Sequence, residues 1–258
     1  MSLPYRLDPG RPVQIGLIVL QEDETIEDDF RRLMPSDVTL MVSRVPSGRD
    51  VTPDSLQEME AHLSVSASLF PRGSALKAMG YGCTSGTAQI GPARIAARVA
   101  EGGPTCPVTE PVTALIAACR ALGLRRLALL SPYVAPVSER LRQVLGAQGL
   151  GTPAFGSFGV SQEAMVARID APSLIDAACA VAQGEQGDGL FMSCTNLRTL
   201  GEIPVLEQRL GLPVLSSNLV LAWHLLTLAG LAMPADRPGR LFAQDMGKSR
   251  KLDPLSGP

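Results

Sequence analysis

The feature that most constrains this chain is a regular alternation of short apolar runs with longer stretches of helical spacing. Val13-Gln14-Ile15-Gly16-Leu17-Ile18-Val19-Leu20 is nearly continuous in apolar residues, as a strand covered on both faces should be. The acidic stretch 21–30 suits a helix start, where carboxylates complement the dipole. Residues 37–45 read as a second strand. Thr52-Pro53-Asp54 then caps a helical run reaching about Leu69. Residues 75–81 form a third strand and 86–100 the helix behind it. The same order returns in the second half, with strands at 126–131, 154–158, 189–192 and 213–215. Helices are predicted at 134–146, at a run capped by Pro172-Ser173 and reaching about Gln183, at 200–210, and in the apolar closing run 219–233. Such alternation implies parallel sheets with helices on both faces.

An internal repeat divides this pattern in two. Met79-Gly80-Tyr81-Gly82-Cys83-Thr84-Ser85-Gly86-Thr87 parallels Leu190-Phe191-Met192-Ser193-Cys194-Thr195-Asn196-Leu197-Arg198. Each is an apolar strand ending in Cys-Thr, then a polar turn and, by expectation, a helix. Gly103-Pro104-Thr105-Cys106-Pro107-Val108-Thr109 similarly matches Gly211-Leu212-Pro213-Val214-Leu215-Ser216-Ser217. The two cysteines are 111 residues apart, close to one domain length. The reading is two similar three-layer α/β halves related by a pseudo-twofold, with the active site in the cleft between them. Residues 1–118 plus 216–242 are expected to form the first half and 119–215 the second, with a boundary near 114–123. Residues 243–258 read as a loose tail.

Composition narrows the function. At 45% hydrophobic and 19% charged, 258 residues can bury a substantial core. A net charge of −2 without a basic block, and only 4% aromatics, argue against a nucleic-acid reader. The longest apolar stretch falls short of the ~20 residues that span a bilayer, so no membrane partner is expected. No secretory signal is apparent, and a reducing cytoplasm is the expected setting. Five cysteines without a C-x-x-C pair, and two histidines, give a disulfide framework or a zinc site little to build with. Neither a metal nor a cofactor is expected, and no glycine-rich nucleotide motif is present. The apolar helices leave room for a homodimer or homotetramer.

The two Cys-Thr turns therefore carry the chemistry. Ligands of parallel α/β sheets bind outside the carboxyl ends of the strands. A cysteine there that opens a helix would be partly exposed, with its pKa lowered toward the thiolate. Neighbouring hydroxyls and N–H groups would hold a carboxylate. Two such turns facing each other place one thiol on each face of a small planar centre. That arrangement suits removing a proton on one face and returning it on the other. It equally suits a thiolate adding to a double bond while the opposite thiol protonates the neighbouring carbon. By contrast Cys106, Cys119 and Cys179 read as packing residues.

Gly80-Tyr81-Gly82-Cys83-Thr84-Ser85-Gly86 and Ser193-Cys194-Thr195-Asn196-Leu197-Arg198-Thr199 resemble the paired cysteine motifs of the aspartate/glutamate racemase superfamily. The closer match is its maleate cis-trans isomerase and arylmalonate decarboxylase branch. Thr25-Ile26-Glu27, Ser131-Pro132-Tyr133, Ser216-Ser217-Asn218 and Gly239-Arg240-Leu241 agree in order, so the likeness runs from about Ile15 to Phe242. The resemblance makes Cys83 and Cys194 the two catalytic cysteines. It implies that Tyr133 contacts a substrate carboxylate and that Thr84, Ser85, Thr195 and Asn196 line the carboxylate pocket. Decarboxylases of the branch keep only the second cysteine, so the presence of both favours an isomerase or racemase. A decarboxylase protonating through Cys194, and a non-catalytic binder of small acids, are the alternatives.

One departure stands out. Maleate-type isomerases carry an asparagine after the first strand, where this chain aligns Asp23. A second asparagine, after the fifth strand, is replaced within Ser161-Gln162-Glu163. An acidic residue would repel a second carboxylate and attract an ammonium group. The expected substrate is thus an amino acid or its derivative, and the first-strand region looks closest to racemase-like proteins linked to ectoine breakdown. Asp23 as a plain helix cap is the competing reading.

Overall fold

The structure, a computed structural model, describes residues 1–8, 10, 12–183 and 187–243. The tail expected at 243–258 lies outside these residues except for Ala243. The apolar run at the start is β1 (Val13–Leu20), buried from Ile15 onward because both of its faces are covered. It is followed by α1 (Ile26–Leu33) and then pairs in parallel with β2 (Val38–Val45) on one side. The helical run after Thr52 is broken into α2 (Pro53–Glu58), a 3-10 turn (Met59–His62) and α3 (Leu63–Ser68). Thr52 caps α2 through a reciprocal pair of bonds with Ser55. β3 (Leu76–Gly82) takes the other side of β1. The helix expected at 86–100 is α4 (Thr84–Ile90) and α5 (Pro92–Glu101), divided by Gly91 at φ 93° and Pro92. A two-residue β4 (Val108–Thr109) completes the sheet, and α6 (Pro111–Leu122) follows it. The 114–123 stretch, read as a boundary, is the body of α6 and its left-handed Gly123 end.

The second half repeats the plan with β5 (Arg126–Tyr133), α7 (Ala135–Ala147), β6 (Gly151–Val160), α8 (Glu163–Val166) and α9 (Ala171–Ala182). β7 (Gly189–Met192), α10 (Ile203–Leu210), β8 (Val214–Ser216) and α11 (Ser217–Leu228) close it. The strand orders are β2-β1-β3-β4 and β6-β5-β7-β8, all parallel, so each strand of one half has its counterpart in the other. The α/β fold of two parallel-sheet halves is thus as the sequence suggested. Two local expectations are corrected. α9 is capped by Asp170, which accepts from Ser173 N at 2.9 Å, because a β-region residue ahead of the proline presents its carboxylate to the free N–H. No helix follows Cys194 directly; residues 193–202 are irregular up to α10.

Apolar side chains from both halves form one continuous core. α11 crosses between them, packing on β3, α6 and α1 as well as on β8, and α4 and α7 also meet across the halves. Ten of its twelve residues are buried, which explains why its sequence shows no polar face. His224 on this helix makes the core hydrogen bond its setting requires, between Nδ1 and Thr109 Oγ1 at 2.7 Å. Among the described residues no helix is long and apolar enough to cross a membrane.

Candidate active site

Cys83 lies immediately after β3 and is the N-cap of α4, its Sγ accepting from Gly86 N at 3.1 Å. Glycine is required there: a Cβ at position 86 would sit 2.9 Å from Cys83 Sγ and 2.6 Å from Tyr81 Oη. Thr87 Oγ1 donates to Cys83 O at 2.6 Å and fixes the turn from behind. Cys194 follows β7, the counterpart of β3, but reaches its place differently. Its φ of 105° is the only positive value outside glycine among the described residues. Tertiary bonds hold that conformation. Cys194 N donates to Ser217 Oγ at 3.0 Å, and Thr84 Oγ1 donates to the same oxygen at 2.7 Å, so one serine at the start of α11 ties the two cysteine turns together.

The turn after Cys194 spends its polar groups on the other half of the molecule, and this is why no helix starts there. Asn196 Oδ1 accepts from Glu24 N at 2.9 Å, and its backbone oxygen accepts from Thr25 Oγ1 at 2.9 Å. Thr195 Oγ1 donates to Gly82 O at 3.3 Å. Asn218, neither a cap nor free, donates to Thr195 O and to Asp29 Oδ2, both at 2.8 Å; the cap of α11 is Ser216.

Two carboxylates are buried beside the thiols. Asp23 meets the capping reading: Oδ1 accepts from Thr25 N and Ile26 N, both at 2.8 Å, at the start of α1. Its Oδ2 is buried without a hydrogen bond, since the neighbouring Thr195 hydroxyl gives its proton to Gly82. The Arg44 charge lowers the carboxyl without outweighing its burial; that guanidinium bonds the Asp23 backbone oxygen at 3.2 Å and pairs with Glu27. Glu163, the first residue of α8, accepts from Tyr133 Oη at 2.8 Å and from Asn196 Nδ2 at 3.2 Å. Tyr133 ends β5, and its oxygen also contacts Cys194 Sγ at 2.9 Å. Asn196 N donates to that same sulfur at 3.3 Å.

These surroundings reverse the expected ionisation of the thiols. Burial pushes Cys83 up to about 12, with Glu163 and Asp23 adding to it against the Gly86 N–H. Burial, then Glu163, holds Cys194 well above the usual thiol range. The helix N-terminus at Cys83 is therefore outweighed, and Cys194 has none: a thiolate here would lose its water and face two carboxylates. Burial also raises Asp23, and raises Glu163 to about 7. Asp29 rises to about 6 for the same reason.

Cys83, Cys194, Asp23, Thr84, Thr195, Asn196 and Tyr133 are thus brought into one connected cluster between the halves. Cys83 is 5% exposed and Cys194 3%, so the cluster is closed to solvent. Ser85 is buried in the first turn of α4. Reading the sequence did not give Ser217 or Glu163 a part. Glu163 had a signal, an acidic residue in a loop aligned to an amide; a bridging serine has none, because its two partners are 133 and 23 residues away.

Proteins of known activity share this fold. Arylmalonate decarboxylase of Bordetella bronchiseptica is 34% identical over 235 residues, 88% of this chain and 95% of its own. A mutant of Nocardia farcinica maleate cis-trans isomerase, solved with a covalently bound succinylcysteine intermediate, superposes with a TM-score of 0.82 at 26% identity, covering 90% of this chain and 99% of that one. A mutant of arylmalonate decarboxylase in its liganded form, with a cysteine in place of a glycine and a serine in place of a cysteine, gives 0.80 at 31% identity, over 89% and 98%. The family profile described as arylmalonate decarboxylase matches residues 77–242. With these relatives, the chain belongs to the arylmalonate decarboxylase family, in the group that also holds the maleate isomerases.

Proposed function

We propose that this protein is a cofactor-independent isomerase or racemase that moves a proton beside a carboxylate, using Cys83 and Cys194. The observation that carries this reading is the placement of one thiol after β3 and one after its counterpart β7, joined through Ser217. In racemisation, one cysteine as thiolate takes the α-proton from one face and the other, as thiol, supplies a proton to the opposite face. In cis-trans isomerisation, the thiolate adds to an alkene carbon, the second thiol protonates its neighbour, and rotation about the new single bond precedes the reverse steps. Thr84, Ser85, Thr195 and Asn196 would bind the carboxylate, while the Tyr133 hydroxyl is engaged with Glu163. The unsatisfied Asp23 Oδ2 favours a substrate that also carries an ammonium group, which would repay the burial of that charge. A decarboxylase using Cys194 alone is the second reading, favoured by the 34% identical relative.

The test is proton NMR in D₂O with single-enantiomer amino acids, acylated diamino acids, maleate and arylmalonates, with iodoacetamide-treated protein as control. The expected result is thiol-dependent exchange of an α-proton with appearance of the opposite enantiomer. Cys83→Ala and Cys194→Ala should each lower turnover by at least ~10³-fold, the upper part of the range for a lost acid or base. Near-full turnover in Cys83→Ala would remove the two-thiol mechanism in favour of the decarboxylase.

A further inference from the structure

Cys194 reacts only if its proton has somewhere to go, and its turn offers neither a helix N-terminus nor a cation among the contacts described above. Among the described residues, the ionisable group hydrogen-bonded to its sulfur is the Tyr133 hydroxyl, at 2.9 Å. A phenol has a single proton, and this one is directed to Glu163 Oε1 at 2.8 Å. The Cys194 S–H is then the donor toward the phenol oxygen, and three side chains form a continuous line from sulfur to carboxylate.

We propose that Cys194, Tyr133 and Glu163 share one dissociable proton, with Glu163 receiving and returning the proton of Cys194 through Tyr133. In the forward direction the S–H bond of Cys194 breaks as its proton bonds to the Tyr133 oxygen. The original Tyr133 O–H bond breaks as that proton bonds to Glu163 Oε1. The products are a thiolate, a neutral phenol and a carboxylic acid; charge is conserved and no electrons are transferred. The reverse sequence restores the thiol. Asn196 positions both ends, since its Nδ2 donates to Glu163 Oε2 at 3.2 Å and to Glu163 O at 3.1 Å while its N donates to Cys194 Sγ at 3.3 Å.

The electrostatics fit the assignment. Burial brings the Glu163 carboxyl to about 7, so it can hold or release a proton near neutral pH. Asp23 and Glu22 face it from the loop after β1 and raise it further, while the Tyr133 and Asn196 bonds lower it. From the loop after β2, Asp50 lines the same small cavity, and the Arg49 backbone oxygen accepts from Glu163 N at 3.1 Å. Cys83 and Cys194 also feel its charge. Glu163 acts through Tyr133 and is a positioning and proton-holding residue, not a group that touches substrate.

The inference rests on Cys194 being the reacting thiol of the proposed function, but its test needs no turnover. Carbamidomethylation by iodoacetamide is followed by peptide mass spectrometry between pH 6 and 9.5, with Cys83 as internal reference for access to the closed site. In the wild-type protein Cys194 labelling should rise to about pH 7 and then level, because ionised Glu163 and the thiolate compete for the same missing proton. Glu163→Gln should abolish the levelling and give a rise of about tenfold per pH unit across the range. Tyr133→Phe, which cuts the line, should do the same, whereas Cys83, on which Glu163 acts only through its charge, should shift modestly and show no plateau in any of the three proteins. The proposal is overturned if wild-type Cys194 climbs without levelling as Cys83 does, or if Glu163→Gln retains the wild-type profile. A parallel rise in the labelling of Cys83 and Cys194 across the whole pH range in Glu163→Gln would also overturn it, as a change of access.

Discussion

Asp23 shows how much a single side chain can be asked to do. One oxygen opens α1 and the other is left without a bond in a buried site, a state that natural proteins keep rarely and at functional positions. Asp23→Asn retains the capping oxygen and removes the charge. Its Tm should therefore hold or rise. Its ratio of kcat/KM for dicarboxylates over ammonium-bearing acids should increase at least tenfold, about 1.4 kcal/mol in relative transition-state binding. An unchanged ratio would remove the case for a cationic substrate. The identity of Asp23, Cys83 and Cys194 as candidates was legible from motif and alignment. Their protonation was not. A helix N-terminus is a local feature that sequence reveals, whereas the burial that overrides it at Cys83 depends on side chains from both halves.

At the scale of elements, α4 illustrates what the sequence does and does not convey. The run 86–100 was readable as helical, but the helix begins at Thr84 because the cysteine itself caps it. Gly86 lowers helix propensity by about 1 kcal/mol relative to alanine, so alanine would stabilise an open helix. Here the added methyl meets Tyr81, Cys83 and Met59, all within 3 Å, and overpacking of about 1–3 kcal/mol outweighs the gain. Gly86→Ala should lower the Tm by a few degrees and reduce turnover tenfold or more by displacing the Cys83 thiol. Activity within twofold of wild type would show that this sulfur need not stay where the turn holds it. The missing helix after Cys194 was not readable for the opposite reason. Asn196 and Thr195 resemble their counterparts in the first turn, yet their bonds run to Glu24, Thr25 and Gly82, more than a hundred residues away. β1 and β7, in contrast, coincide with their predicted limits, because continuous burial on both faces writes itself into consecutive apolar residues.

For the molecule as a whole, the repeat in the sequence and the matching strand orders describe two halves, but the packing describes one body. α11 follows the last strand of the second half and buries itself against β3, α6 and α1 of the first. Removing it would uncover that face and leave a helix with almost no polar surface in water, a loss far larger than the ~5–15 kcal/mol that holds a domain folded. Urea unfolding should accordingly show one transition by both fluorescence and circular dichroism, and residues 124–243 produced alone should not fold. A separate cooperative transition for that fragment would contradict this. Because the closing helix belongs by position to one half and by contact to the other, no single cut in the chain separates the two cores. A chimera with a relative that keeps each core intact must therefore be joined from three segments at two junctions, and a single crossover at the midpoint would inherit mismatched partners for α11.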